Sequence, residues 1–101
     1  MKITTATIYD RCDRISEDLD AYLADPRAVR AERSAALACQ VLVDGLRVLG
    51  PSEELEPRWD AVLFTLEAIS RADTVGRPAA HVYRATYRTL ANGHPTTAQE
   101  G

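Results

Sequence analysis

Motifs that would mark an enzyme or a metal site are missing from this sequence. Its five glycines stand singly, so no glycine-rich loop is present to hold a phosphate group. Its only histidines, His81 and His94, and its only cysteines, Cys12 and Cys39, do not stand at the short spacings of metal ligands. We therefore predict a non-catalytic protein with no metal, no cofactor and no small-molecule substrate.

Long apolar runs are also missing. No stretch of about 18 apolar residues could span a membrane, so we expect no membrane partner. Residues 1–5 lead directly into a charged amphipathic segment and lack the apolar core of a signal peptide. We therefore expect a cytoplasmic protein, in which Cys12 and Cys39 are buried apolar residues rather than a disulfide. The formal net charge of −3 is too small to indicate a nucleic-acid binder by itself.

What the sequence does contain is apolar residues at helical spacing. They make up 46 % of its 101 residues, which suffices for a single small core. Their three- and four-residue steps, with the positions of proline and glycine, predict helices at about residues 5–24, 26–49, 57–72 and 78–92. We predict one helical domain over residues 1–93 and a flexible tail over residues 94–101. The apolar stripe of the first helix consists of Ile8, Cys12, Ile15, Leu19, Tyr22 and Leu23.

The second helix is predicted to be the centre of the fold. Asp25 and Pro26 are typical of an N-cap and a first helical position, and Gly50 of the position just after a helix. The helix between them would be about 36 Å long. It is apolar around most of its circumference, as in a helix that several others cover. The sequence therefore predicts an all-α fold, a small four-helix antiparallel bundle with a long central second helix.

The short turn at Asp25 and Pro26 predicts that the first two helices form an antiparallel hairpin. Residues at equal distances from such a turn lie level with each other, and Cys12 and Cys39 are one such pair. We therefore predict that the two cysteines are close neighbours, which oxidation could join if their Cα atoms lie within about 7 Å.

A polar strip runs along the otherwise apolar second helix. At about 100° per residue, its members fall on one narrow side of the helical wheel, and Asp44 and Arg47 are close enough to pair. On a central helix this strip faces water, a cleft or a second subunit, and these alternatives stay open. The strip consists of Arg33, Gln40, Asp44 and Arg47.

Two surfaces are candidates for protein binding. Phe64 points away from the apolar face of the third helix and is flanked by Ala61 and Ala68, so either another helix covers it or it forms an exposed apolar patch. The first helix has a strongly acidic outer face, which is either solvated or contacts a partner. Its candidate contact residues are Asp13, Glu17 and Asp20.

The fourth helix carries the one pattern that resembles nucleic-acid recognition. Its basic residues step by four, three and four positions, which places them on one face. They could follow a phosphate backbone, with residues 78–92 as a recognition helix. The alternatives are a solvated face or ion pairs with the acidic first and third helices. Whether this helix packs on the bundle or projects from it stays open. The stripe consists of Arg77, His81, Arg84 and Arg88.

The absence of catalytic motifs and the alternating charge of the helices favour a macromolecule-binding role. We predict a non-catalytic module for protein–protein interaction or regulation, which includes inhibition of a bound protein. It would bind another protein or a second copy of itself. Its eleven arginines against one lysine suggest a GC-rich genome, and small helical proteins of this kind are often bacterial or phage accessory factors. The alternative is a DNA-binding transcriptional regulator that uses the fourth helix.

Overall fold

A computed structural model describes residues 3–93, and four α-helices account for most of them. The helices are α1 (Thr5–Ala24), α2 (Arg30–Leu49), α3 (Leu55–Arg71) and α4 (Arg77–Asn92). No strand occurs between residues 3 and 93. The prediction of an all-α bundle is confirmed. The tail predicted at residues 94–101 lies outside the described residues.

Two helices share the centre of the bundle. α2 packs mainly against α1 and α4, whereas α4 contacts all three other helices and packs most closely against α3. α1 and α3 contact each other least. The fourth helix therefore packs on the bundle rather than projecting from it, and it is as central as α2.

One face of each helix supplies the core. The stripe predicted for α1 is confirmed at Ile8, Cys12, Ile15 and Leu19, which are all buried. Thr4 caps this helix, because its hydroxyl oxygen accepts a hydrogen bond from the Thr7 N–H at 3.1 Å. The other helices contribute Ala35, Ala36, Cys39, Val43, Leu46, Leu55, Val62, Leu66, Val82 and Leu90.

α2 begins at Arg30, four residues later than predicted, because residues 26–29 form a turn. The Asp25 carboxylate accepts a hydrogen bond from the Arg27 N–H at 2.9 Å, which holds this turn closed. Val29 is the N-cap, and its N–H donates to the Glu32 carboxylate at 3.0 Å. Valine has no side-chain acceptor, so only this half of a capping box forms.

The longer turn changes the register predicted for α1 and α2. Across the hairpin, Asp13 of α1 pairs with Arg47 of α2, and the Asp20 carboxylate accepts a hydrogen bond from Gln40. Cys12, next to Asp13, therefore lies near Arg47, eight residues along α2 from Cys39, so the two cysteines are not level. The prediction that they are neighbours rested on a short turn at Asp25 and Pro26, and the connection in the structure is longer. Both thiols are buried and free.

The prediction that other helices cover the apolar circumference of α2 is wrong on one side. Three of its apolar residues are exposed: Leu37 is 54 %, Val41 72 % and Val48 84 % accessible to solvent. Within residues 3–93, α1, α3 and α4 cover only the remaining sides of this helix. The spacing of apolar residues in the sequence shows which sides of α2 are apolar. It does not show which of those sides the other helices cover.

Candidate functional site

The polar strip of α2 meets the acidic face of α1 along an exposed edge of the hairpin. Arg47 forms an ion pair with Asp13, and the Gln40 amide donates a hydrogen bond to the Asp20 carboxylate at 2.9 Å. Arg33 also reaches this edge, where its guanidinium donates to the Asp25 carbonyl oxygen at 2.8 Å. Three of the four strip residues therefore join α2 to α1 and to the turn between them. The fourth, Asp44, is exposed and forms no ion pair with residues 3–93.

These contacts change the predicted acidic site. Asp13 and Asp20 are exposed but already engaged by α2, whereas Glu17 is exposed and forms no ion pair with another residue between 3 and 93. Arg47 pairs with Asp13 rather than with Asp44, its predicted partner. The three acids therefore differ in role: Asp13 and Asp20 hold the hairpin together, whereas Glu17 remains available to a partner.

The Phe64 patch is exposed. Phe64 is 73 % accessible on the outer side of α3, opposite the buried Val62 and Leu66, and its neighbours Ala61 and Ala68 are exposed as well. No helix within the described part of the chain covers this ring. The Thr65 hydroxyl donates to the Ala61 carbonyl oxygen at 2.9 Å, so its polar group is turned back onto the helix. The result is a low apolar surface centred on one aromatic ring.

The basic stripe of α4 is exposed along its whole length. Arg77, His81, Arg84 and Arg88 are each exposed, and none of them forms an ion pair with any residue from 3 to 93. The predicted ion pairs to the first and third helices are therefore wrong for this part of the chain, and the stripe is either a solvated face or a binding surface.

Arg84 and Arg88 also line a groove of about 190 Å³ between α3 and α4. Arg71 lies across the groove and pairs with Glu67 at 3.1 Å. Sequence reasoning missed Arg71, because its position beside α4 depends on how the two helices pack. Ser70 and Tyr87 complete the lining.

The last turn of α4 is held by side chains from two other helices. The Leu90 carbonyl oxygen accepts hydrogen bonds from Arg11 of α1 at 3.2 Å and from the Trp59 indole N–H of α3 at 3.1 Å. Arg11 also donates to the Ala91 carbonyl oxygen at 2.8 Å. Gly93 then ends the helix with a φ of 94°, a left-handed conformation that glycine adopts readily. The basic stripe is thus carried by a helix anchored at its C-terminus.

The thiols are poorly suited to nucleophilic chemistry. Burial raises the pKa of Cys12 from 9.0 to about 11, although the nearby Arg47 charge acts in the opposite direction. Burial also raises the pKa of Cys39, partly offset by a hydrogen bond with Thr86. Since the thiolate is the reactive form, both residues are packing groups in this structure.

The residues between 3 and 93 include no cluster of three or more His, Cys, Asp or Glu side chains that could hold a metal ion. In that same part of the chain, every helix is too short or too polar to cross a membrane.

No protein-family model matches this chain, and a search of curated proteins and of solved structures finds no significant match. Its function therefore has to be inferred from its own surfaces.

Proposed function

We propose that this protein is a non-catalytic interaction module that binds another protein through the α3 surface centred on Phe64. The observation that carries the proposal is the 73 % exposure of the chain's only phenylalanine. Covering such a side chain contributes roughly 2 kcal/mol of hydrophobic free energy, which an unbound protein forgoes. Aromatic residues are also enriched at the centres of protein interfaces.

The shape of the surface favours a protein partner over a small molecule. Ala61 and Ala68 beside the ring are small and exposed, so they form no walls around it. A small ligand could not bury most of its area on such a surface. The Glu67–Arg71 ion pair lies on the same helix as a charged border. An apolar centre with a charged border is typical of protein interfaces.

We further propose a regulatory role, such as inhibition of the bound protein, in a bacterium or a phage. The support for this source is compositional: the chain has eleven arginines and a single lysine.

Site-specific photo-crosslinking in cells of the source organism tests the Phe64 surface. A photo-reactive phenylalanine analogue at position 64 should give one discrete heavier adduct, whereas the same analogue at Asp73, exposed in the α3–α4 connection, should not. With the adduct protein identified, Phe64→Asp should weaken its binding at least about tenfold. Helical circular dichroism unchanged from wild type would show that the variant folds.

Two results would contradict the proposal. One is the absence of an adduct at position 64. The other is a partner whose affinity does not change in the folded Phe64→Asp variant.

The second candidate function is DNA binding. It is supported by the α3–α4 groove, which Arg71, Arg84 and Arg88 line together with Glu67. Glu67 pairs with Arg71, whereas Arg84 and Arg88 form no ion pair with residues 3–93. Arginine guanidinium groups bind phosphate oxygens well because they can donate two hydrogen bonds at once.

Fluorescence anisotropy with a labelled random duplex tests this candidate. A DNA binder should bind at low salt and lose affinity steeply near physiological salt, because neutralised phosphates release counterions. Arg84→Ala/Arg88→Ala should abolish most of this binding. The matched control, Arg14→Ala/Arg58→Ala, removes the same charge from exposed positions elsewhere and should change it little. No binding by the wild type at low salt would eliminate the candidate.

A further inference from the structure

We propose that the open side of α2 is a self-association surface on which two copies of this chain pair their α2 helices in antiparallel orientation. The surface is separate from the Phe64 patch, so it can be tested independently of the function proposed above. Its apolar members are Leu37, Val41 and Val48, which are more exposed than is usual for three large aliphatic residues on one helix face.

The spacing along this face is that of a coiled-coil seam. Six residues follow one another at alternating steps of four and three positions, so they form one continuous line along α2. The buried residues Ala36, Cys39 and Val43 lie on a different side of the helix, facing the core. α2 therefore has two apolar faces: one is buried against the other helices of the bundle, and the other is exposed to solvent. The outward seam consists of Arg30, Ser34, Leu37, Val41, Asp44 and Val48.

Gly45 is an independent indication that another helix approaches here. A glycine inside a helix destabilises it relative to alanine, so its presence calls for a reason. A Cβ atom added at Gly45 would meet no atom within 4 Å, and the backbone there has no positive φ. The described chain thus offers no steric reason for this glycine. Ala31 and Ala38 precede it at seven-residue intervals beside the seam. The small side chains on this side of the seam allow the backbone of a neighbouring helix to approach closely.

Charge identifies the neighbour as a second copy in antiparallel orientation. The seam is basic at one end, at Arg30, and acidic towards the other, at Asp44. A parallel pair would place each of these charges level with its own copy, which is unfavourable. An antiparallel pair places Arg30 four residues, or about one helical turn, from the level of Asp44 of the second copy, at both ends of the contact. Such a two-fold arrangement closes on itself and stops at a dimer.

The geometry of this pair can be stated residue by residue. With the two-fold axis midway between Leu37 and Val41, each Leu37 packs against Val41 of the second copy. Ser34 then lies level with Asp44 of the second copy, and Ala31 lies beside Gly45. The small residues therefore face each other along one border, where the two backbones approach most closely.

The predicted dimer is reversible. α2 has 20 residues and is about 30 Å long, so one of its faces provides an interface at the small end of the range, below about 1,200 Å² in total. We therefore expect a monomer–dimer equilibrium that shifts with protein concentration rather than an obligate dimer.

Sedimentation velocity of the full chain, from low micromolar to near-millimolar concentration, tests the dimer. Val41→Asp should weaken association at least about tenfold, because it places a charge at the centre of the seam. Phe64→Asp, an equally exposed apolar-to-acid change on α3, is the matched control and should leave it unchanged. A wild type that stays monomeric throughout, or dimers equally sensitive to both variants, would overturn the proposal.

Gly45→Ala gives a test that unfolding cannot mimic. It should raise the melting temperature of the dilute monomer, because alanine favours the helix. It should also weaken dimerisation by at least about threefold, because the new methyl group lies between the two helices. Higher stability with undiminished association would show that no helix packs closely at Gly45.

The orientation is tested by disulfide crosslinking. Ala38→Cys lies next to the proposed two-fold axis and should join two chains on mild oxidation, whereas Val48→Cys should not. The buried wild-type cysteines provide the background reaction. Efficient crosslinking of Val48→Cys would indicate a parallel pair and overturn the antiparallel arrangement.

Discussion

At the scale of single residues, burial decides what the two cysteines can do. Both side chains are fully buried, and burial raises the pKa of each thiol, that of Cys12 to about 11. Near neutral pH both thiols are therefore almost entirely protonated, and only the thiolate attacks an oxidant or a disulfide. Together with their offset along the helix axes, this protonation disfavours a disulfide between Cys12 and Cys39 in the folded protein.

Helix ends define the element scale, and α2 has an incomplete cap. Val29 has the extended backbone of an N-cap residue, and Glu32, three positions later, accepts its N–H at 3.0 Å. The reciprocal hydrogen bond needs a side-chain oxygen, which valine lacks. Val29 is also 49 % exposed, so its side chain contributes little to the core.

We expect Val29→Ser to complete this capping box and to stabilise the protein by about 1 kcal/mol. For a domain of this size, such a gain raises the melting temperature by roughly 4–8 °C. Thermal unfolding followed by circular dichroism measures the change. Val29→Ala is the control, because it removes the valine side chain without supplying an acceptor. Equal melting temperatures for the serine and alanine variants would contradict the prediction.

Much of the element-scale structure is predictable from the sequence, because it depends on local signals. The bounds of α1 and the left-handed Gly93 at the end of α4 follow from capping and helix-stop patterns. The start of α2 does not, because residues 26–29 form a turn even though the Asp25 carboxylate accepts the Arg27 N–H as an N-cap would. That four-residue difference then displaces the predicted register of the hairpin.

Predictability falls further at the scale of the whole molecule, because each helix has more apolar positions than the bundle covers. The wheel of α2 identifies Val41 and Val43 as equally apolar, yet one is exposed and the other buried. The convergence of Arg71 with Arg84 likewise depends on the packing of α3 against α4. The candidate residues could therefore be named from the sequence, but their grouping into surfaces required the fold.

The last turn of α4 couples three helices, and this coupling is measurable as non-additivity. The Leu90 carbonyl oxygen accepts from both Arg11 and Trp59, so removing either donor leaves the other in place. We expect Trp59→Phe and Arg11→Met each to destabilise the protein by about 1 kcal/mol. In the double variant this carbonyl loses both side-chain donors, and the loss should exceed the sum of the single losses by at least about 0.5 kcal/mol.

Urea unfolding followed by circular dichroism measures all four proteins of this cycle, since it does not depend on the replaced tryptophan. Arg14→Met is the matched control, because Arg14 is exposed on α1 and makes no ion pair within residues 3–93. Its combination with Trp59→Phe should therefore be additive within about 0.5 kcal/mol. If the Arg11 cycle were equally additive, the two donors would act independently, and α1 and α3 would not be coupled through the end of α4.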